Sequence, residues 1–127
     1  MFKKIKKNLN KINLFKLKKV ERPWGGFVNL WQKGLNIKII SVNPHSRLSL
    51  QSHKLRSEIF FLISGNLECQ INNKRFRMKR GVPYLILRGA KHRLSAFEVG
   101  GKVLEVSFGK FHEEDIIRYE DDYGRIN

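Results

Sequence analysis

An amide and an imidazole, Gln51 and His53, stand two residues apart in one short stretch. A carboxylate, Glu58, follows after Lys54-Leu55-Arg56-Ser57, and a second imidazole, His92, comes after Gly89-Ala90-Lys91. Side chains at i and i+2 of a β-strand project from the same face, so a strand through Gln51 and His53 would present both to one side. Two imidazole nitrogens, a carboxylate and an amide oxygen make a mixed N/O donor set that suits Zn²⁺, Fe²⁺, Mn²⁺ or Co²⁺. Four polar residues scattered over the surface of a small β-protein would show the same spacing, and the residues alone leave both readings open. Four cations, Lys54, Arg56, Lys91 and Arg93, flank these positions. A guanidinium offers a planar fork matched to phosphate oxygens, and a solvated surface role is the plain alternative for each of the four.

The elements that must position these groups read as short strands. Phe27 to Gln32 and Ile37 to Val42 are apolar-rich runs, separated from the next by the turn residues Asn43-Pro44-His45-Ser46. Leu48, Leu50 and Ser52 alternate with Ser49, Gln51 and His53. Ile59 to Ser64 is nearly all apolar, which predicts a strand buried on both faces. Gly65-Asn66 predicts a turn, after which Leu67, Cys69 and Ile71 alternate with Glu68 and Gln70. Asn72-Asn73 suits a tight hairpin, because Asn tolerates positive φ. Lys74 to Arg80, Pro83 to Leu87, Arg93 to Phe97 and Lys102 to Phe108 complete the set. Short strands at such spacing predict an antiparallel sandwich or barrel. Glu113-Glu114-Asp115 before Ile116 and Ile117 predicts an acid-rich helical turn near the end.

The chain has 127 residues, a size for one domain. Its single cysteine, Cys69, excludes an intrachain disulfide and reads as a small buried hydrophobe. No apolar run approaches the ~20 residues needed to cross a bilayer, and the N-terminus lacks the apolar core of a secretory signal, so a cytoplasmic location is expected. The net charge is +15, unevenly spread: eight lysines fall in the first 19 residues, and six of the eleven acids fall between Glu113 and Asp122. Phe2, Ile5, Leu9, Ile12 and Phe15 recur at helical spacing among the lysines, which predicts an amphipathic helical arm over residues 1–20 ahead of a domain over 21–127. Packing on the barrel or a second subunit is the expected use of that arm, ahead of contact with a membrane surface. No aromatic platform interleaves with basic residues, so nucleic acid is not expected as a partner.

Longer strings narrow the choice. Leu48-Ser49-Leu50-Gln51-Ser52-His53, then Arg56-Ser57-Glu58, then Ser64-Gly65, resembles the first cupin motif of type II phosphomannose isomerases. Arg22-Pro23-Trp24-Gly25 is similar to the opening of that domain, Gly89 with His92-Arg93-Leu94 resembles the second cupin motif, and the tail from Glu113 to Arg125 is similar to the family's ending. The resemblance covers residues 21 to 125. It implies an all-β fold, a single cupin, which is an antiparallel jelly-roll β-barrel, commonly as a homodimer. In that family the cupin usually follows a nucleotidyltransferase domain that makes GDP-mannose. These 127 residues have neither the length nor a glycine-rich nucleotide loop for one, so a stand-alone isomerase-type cupin is expected.

The implied reaction interconverts mannose 6-phosphate and fructose 6-phosphate at one divalent metal ion (Zn, Mn, Fe or Co), supplying GDP-mannose and polysaccharide synthesis. Three positions depart from the family pattern: Leu55 replaces the second histidine of a His-x-His pair, Ile59 stands where another histidine is common, and Leu87 replaces a frequent proline. Gln51-Ser52-His53 resembles instead the Gln-x-His pair of type I phosphomannose isomerases. Gln51, His53, Glu58 and His92 would then hold the metal. Glu58 or His92, whichever is not a ligand, would move the proton between C1 and C2, and Arg56, helped by Arg93 or Lys91, would hold the phosphate of the phosphosugar. The departures at Leu55 and Leu87 motivate the alternative, a non-catalytic sugar-phosphate-binding cupin with a degenerate metal site.

Overall fold

The structure, a computed structural model, describes residues 17–126. Nine strands follow in chain order: β1 (Lys19–Arg22), β2 (Gly25–Lys33), β3 (Leu35–Val42), β4 (Leu50–Ser52), β5 (Arg56–Ile71), β6 (Lys74–Arg77), β7 (Tyr84–Ile86), β8 (His92–Gly109) and β9 (Ile117–Glu120). All pair antiparallel, and no helix occurs among the described residues. The expected helical turn at Glu113 is a plain turn that leads into β9, because Ile117 to Glu120 finds β4 to pair with. The amphipathic helix expected over Phe2 to Phe15 lies outside the described residues. β1 crosses the expected boundary at residue 20 and pairs with β2.

Two long bent strands organise the barrel. The second half of β8 runs between β3 and the first half of β5, in the order β1-β2-β3-β8-β5-β7. The first half of β8 runs between β4 and the second half of β5, in the order β9-β4-β8-β5-β6. β5 and β8 therefore serve both sheets, which curls one continuous sheet around a core. The bend falls where register slips between Leu62 and Ser64 and between Gly65 and Leu67. Gly65 holds φ 86°, and a Cβ there would run into the Gly100 carbonyl oxygen and the Gly101 Cα. The turn expected at Gly65-Asn66 is thus a bulge inside one strand. The Asn72-Asn73 hairpin forms as expected, with Ile71 opposite Lys74 and Asn72 at φ 53°.

Alternation along β5 buries Phe60 and Leu62 and leaves Ile63 exposed, so this strand is not buried on both faces. A jelly-roll face looks inward and its back meets solvent. The core includes Phe60, Leu62, Leu67, Cys69, Leu94 and Val103, each large side chain contributing roughly 1.5–3 kcal/mol on burial. Burial pushes the Cys69 thiol up to about 12, as suits a packing residue. Inward-facing residues stack in layers set by register. Leu62 lies opposite Val103, and Val103 opposite Ile40. Two residues along, Phe60 lies opposite Glu105, and Glu105 opposite Lys38; beyond that, Glu58 lies opposite Ser107. The interior turns from apolar to polar in those two steps.

Candidate metal centre

The polar end of the barrel gathers the side chains that carry the chemistry. Gln51 on β4 pairs with His92, the first residue of β8, and His53 follows β4 directly. Gly89 N donates to the His53 carbonyl at 2.8 Å, which ties the loop before His92 to the loop after β4. Glu58 enters from β5. His53 Nε2 stands 3.0 Å and His92 Nε2 3.2 Å from Glu58 Oε1, and all three residues are at most 3% exposed.

The partners on the far sides of the rings orient them. His53 Nδ1 lies 2.7 Å from the Asp115 carbonyl and His92 Nδ1 3.0 Å from the Ala90 carbonyl. A carbonyl only accepts, so each Nδ1 carries a hydrogen and each ring turns its Nε2 inward. Both Glu58 oxygens and His92 Nε2 are buried without a hydrogen-bond partner among the described residues. Two lone pairs and a carboxylate facing one another repel unless a cation or a shared proton stands among them. Such outer hydrogen bonds orient metal-bound histidines, and the three donor atoms lie within 4.8 Å of one another. The donor set of two imidazoles and a carboxylate fits a divalent transition metal. Burial favours the neutral acid at Glu58, but hydrogen bonding and positive charge from the two imidazoles, available when a shared proton stands between ring and carboxylate, outweigh it and hold the carboxyl well below the usual carboxylate range.

Of the sequence-predicted site residues, the structure brings together Gln51, His53, Glu58, His92 and Arg56. Gln51 Nε2 is 3.4 Å and Arg56 Nη2 3.2 Å from His53 Nε2. Ser49 Oγ lies 2.6 Å from Gln51 Oε1, so half a turn of the amide would present its oxygen to the site. Arg56 stacks on Phe111, its Cζ 4.5 Å from the ring centroid. Leu55 is 40% exposed and turned away, so no hole marks the histidine that the resemblance expected there. Leu87, 61% exposed, is also remote from the interior. Arg93 and Lys91 have other work. Arg93 donates from Nε to the Leu48 carbonyl, from Nη1 to Glu120 Oε2 and from Nη2 to the Glu120 carbonyl. Lys91 is exposed, with Nζ 4.2 Å above the Tyr119 ring.

The matched family model, mannose-6-phosphate isomerase C-terminal, spans residues 9–121. The chain belongs to the mannose-6-phosphate isomerase C-terminal family. Xanthan biosynthesis protein XanB of Xanthomonas campestris pv. campestris is 34% identical over 112 residues, 85% of this chain and 24% of that protein. Alginate biosynthesis protein AlgA of Pseudomonas aeruginosa is 35% identical over 109 residues, and mannose-1-phosphate guanylyltransferase of Klebsiella pneumoniae 32% over 111. These cover 84% and 85% of this chain and 23% and 24% of those proteins, so the chain spans about a quarter of the length of such relatives. Among solved structures, KdgF from Halomonas sp. superposes with a TM-score of 0.72 at 11% identity, covering 81% of this chain and 96% of that one. A cupin-2 domain from Rhodospirillum rubrum gives 0.65 at 11% identity, covering 79% and 77%. Those likenesses show the cupin fold.

This family member has further site residues that motif reading missed. A pocket next to the triad is lined by Gln51, His53 and Arg56 and also by Lys38, Glu105 and Phe111. Lys38 and Glu105 are 8% and 5% exposed, with Nζ 3.8 Å from Oε2. Burial lowers the Lys38 pKa, with the charges of Arg56 and Arg22 acting the same way and those of Glu113 and Glu58 opposing. The signal for both residues is phase: Lys38 alternates with the inward Ile40 and Val42, and Glu105 with Val103 and Ser107. Asp115 carries no such signal. Its carboxylate accepts from the backbone N–H groups of Lys54 and Leu55 at 2.8 and 2.9 Å, while its carbonyl holds His53.

Proposed function

We propose that the chain is a mannose-6-phosphate isomerase that interconverts mannose 6-phosphate and fructose 6-phosphate at a divalent ion and feeds GDP-mannose and polysaccharide synthesis. The observation that carries this reading is the convergence of His53 Nε2, His92 Nε2 and Glu58 Oε1 beside a pocket lined with cations, in a chain of this family. His53, Glu58 and His92 would hold the ion, with Gln51 as a fourth donor after its amide turns. Zn²⁺, Mn²⁺, Fe²⁺ or Co²⁺ bound there would supply polarisation of the sugar carbonyl.

The remaining steps belong to the chain's own groups. With Glu58 and His92 in the ligand set, two carboxylates remain in the pocket, the exposed Glu113 and the buried Glu105, and Glu105, beside Lys38, moves the proton between C2 and C1. Lys38, beside it, donates to the oxygen that gains charge in the enediol. Arg56, fixed against Phe111, supplies fork donors to the anionic substrate. A second reading, a sugar-phosphate-binding cupin without turnover, is favoured by one contact: the Arg56 guanidinium 3.2 Å from His53 Nε2 competes with a cation for that lone pair.

A coupled assay with metal-stripped protein, re-supplied separately with Zn²⁺, Mn²⁺, Fe²⁺ and Co²⁺, separates the two. The isomerase reading expects metal-dependent turnover that is abolished by His53→Ala and strongly cut by Gln51→Ala. Folded protein that binds mannose 6-phosphate and turns over none with any metal sinks it in favour of the binding protein.

A further inference from the structure

The tail, from Phe111 onward, closes one side of the pocket, and its charges are distributed unevenly. Three of its carboxylates each take an arginine. Asp121 holds Arg125 through contacts of 2.9 and 2.8 Å, Asp122 holds Arg47 at 2.7 and 2.8 Å, and Glu120 holds Arg93 at 3.0 Å. Besides Arg56, two arginines of the pocket are left over. Arg118, on β9, forms no ion pair among the described residues, and its Nε is buried without a partner. Burial, joined by the neighbouring charges of Arg125 and Arg22, lowers its pKa. Among the described residues the Arg22 side chain, at the end of β1, donates only to the Glu21 carbonyl beside it, and it lies over the Phe27 ring at 5.4 Å.

Both residues line the pocket that also contains Gln51, His53 and Arg56. Their place in it differs from that of Arg56. Arg56 touches His53 and so sits at the metal end. Arg118 lies opposite Gln51 in the β4–β9 pairing and also borders an outer depression lined by Glu113, Glu114, Ile116, Ile117 and Arg125, so it joins the inner pocket to its mouth. Like charges brought together in a partly buried site repel, and the arrangement is stable in function when an anion sits between them. A phosphate dianion is matched by guanidinium forks approaching from two strands.

We propose that Arg22 and Arg118 form the phosphate subsite at the pocket mouth, leaving Arg56 to the carbonyl end of the sugar. The proposal rests on the sugar-phosphate reading for the identity of the ligand, and on the unpaired guanidinia for its place. A ligand with a carbonyl or hydroxyl pair at one end and a phosphate at the other spans the pocket from metal end to mouth.

Calorimetry on the whole chain with inorganic phosphate, mannose 6-phosphate and mannose tests it. Arg118→Gln and Arg22→Gln are each expected to weaken both phosphate ligands by about tenfold, and the double variant by more, with Arg118→Lys recovering part of the loss. Arg47→Gln removes one positive charge outside the pocket and serves as the control, with affinity unchanged. Thermal melts confirm that each variant is folded. Equal phosphate affinity in the wild type and the Arg22/Arg118 double variant overturns the proposal, as does loss of phosphate binding with Arg56→Gln alone while the double variant keeps it. Loss of phosphate binding in the double variant supports the subsite even where the wild type shows no preference for mannose 6-phosphate over inorganic phosphate; that lack of preference tells against the sugar reading separately.

Discussion

The same three strands build two unlike ends of one interior. Leu62, Val103 and Ile40 make an apolar layer, while Glu58, Ser107, Glu105 and Lys38, two and four residues along, make a polar one. Apolar burial is favourable wherever it occurs. Burial of charge is favourable only when it is paired and hydrogen-bonded. The polar end leaves both Glu58 oxygens, His92 Nε2 and Ser107 Oγ without hydrogen-bond partners among the described residues. One end therefore supports the fold, and the other is held buried at a cost that the first offsets. That contrast separates residues whose loss unfolds the barrel from residues whose loss empties it.

The sharpest way to break this contrast is at Glu58. Glu58→Ala is expected to lower divalent-metal affinity by more than the roughly hundredfold typical of an outer-sphere change, read as bound metal after dialysis. Retention of one ion per chain would show that the triad is not the ligand set. Leu67→Ala, at a fully buried apolar position, is expected to do the opposite. It should cost about 2–5 kcal/mol in urea unfolding and leave metal affinity as it was.

Lys38 and Glu105 test the border between the two ends. Lys38→Met leaves a buried carboxylate without its partner and is expected to cost about 3 kcal/mol or more. The double change Lys38→Met with Glu105→Met should recover most of that loss, and a neutral single variant would show that the pair is not mutually supporting.

The smallest effect concerns pH at the tail. Arg125 and Arg47 hold the Asp121 and Asp122 carboxyls below their ordinary value. A folded pKa below the unfolded one adds stability that is present above about pH 4 and is lost as pH falls through the folded value. Hydrogen-exchange protection of β9 amides, corrected for intrinsic rates, should therefore drop below about pH 4 while core amides of β5 keep theirs. Equal loss in both would mean that the tail and the barrel unfold together.

Much of the fold is legible locally. Apolar runs mark β2, β3 and the first arm of β5, alternation marks the second arm of β5, and Asn72-Asn73 marks the hairpin. The misreadings have separate causes. Glycine relaxes backbone limits equally for a turn and for a bulge, so Gly65 looked like the end of a strand that in fact bends and continues to Ile71. β9 was hidden for another reason. Ile117 to Glu120 becomes a strand only because β4 offers an edge to it. That Gln51, His53, Glu58 and His92 come together was legible from type and motif. Lys38 and Glu105 were legible only by phase, and Arg22 and Arg118 not at all, since nothing local distinguishes a pocket arginine from a solvated one.

The sequence by itself determined which side chains share a face, because strand alternation has a period of two and depends on neighbours alone. It placed Gln51 with His53, and Lys38 with Ile40 and Val42. Only the tertiary structure decided that both Nε2 atoms meet Glu58, that Asp115 returns to orient His53, and that Arg118 lines the pocket without an ion pair among the described residues. Those outcomes depend on the non-local pairing of β4, β5, β8 and β9, which is set by burial of the whole interior.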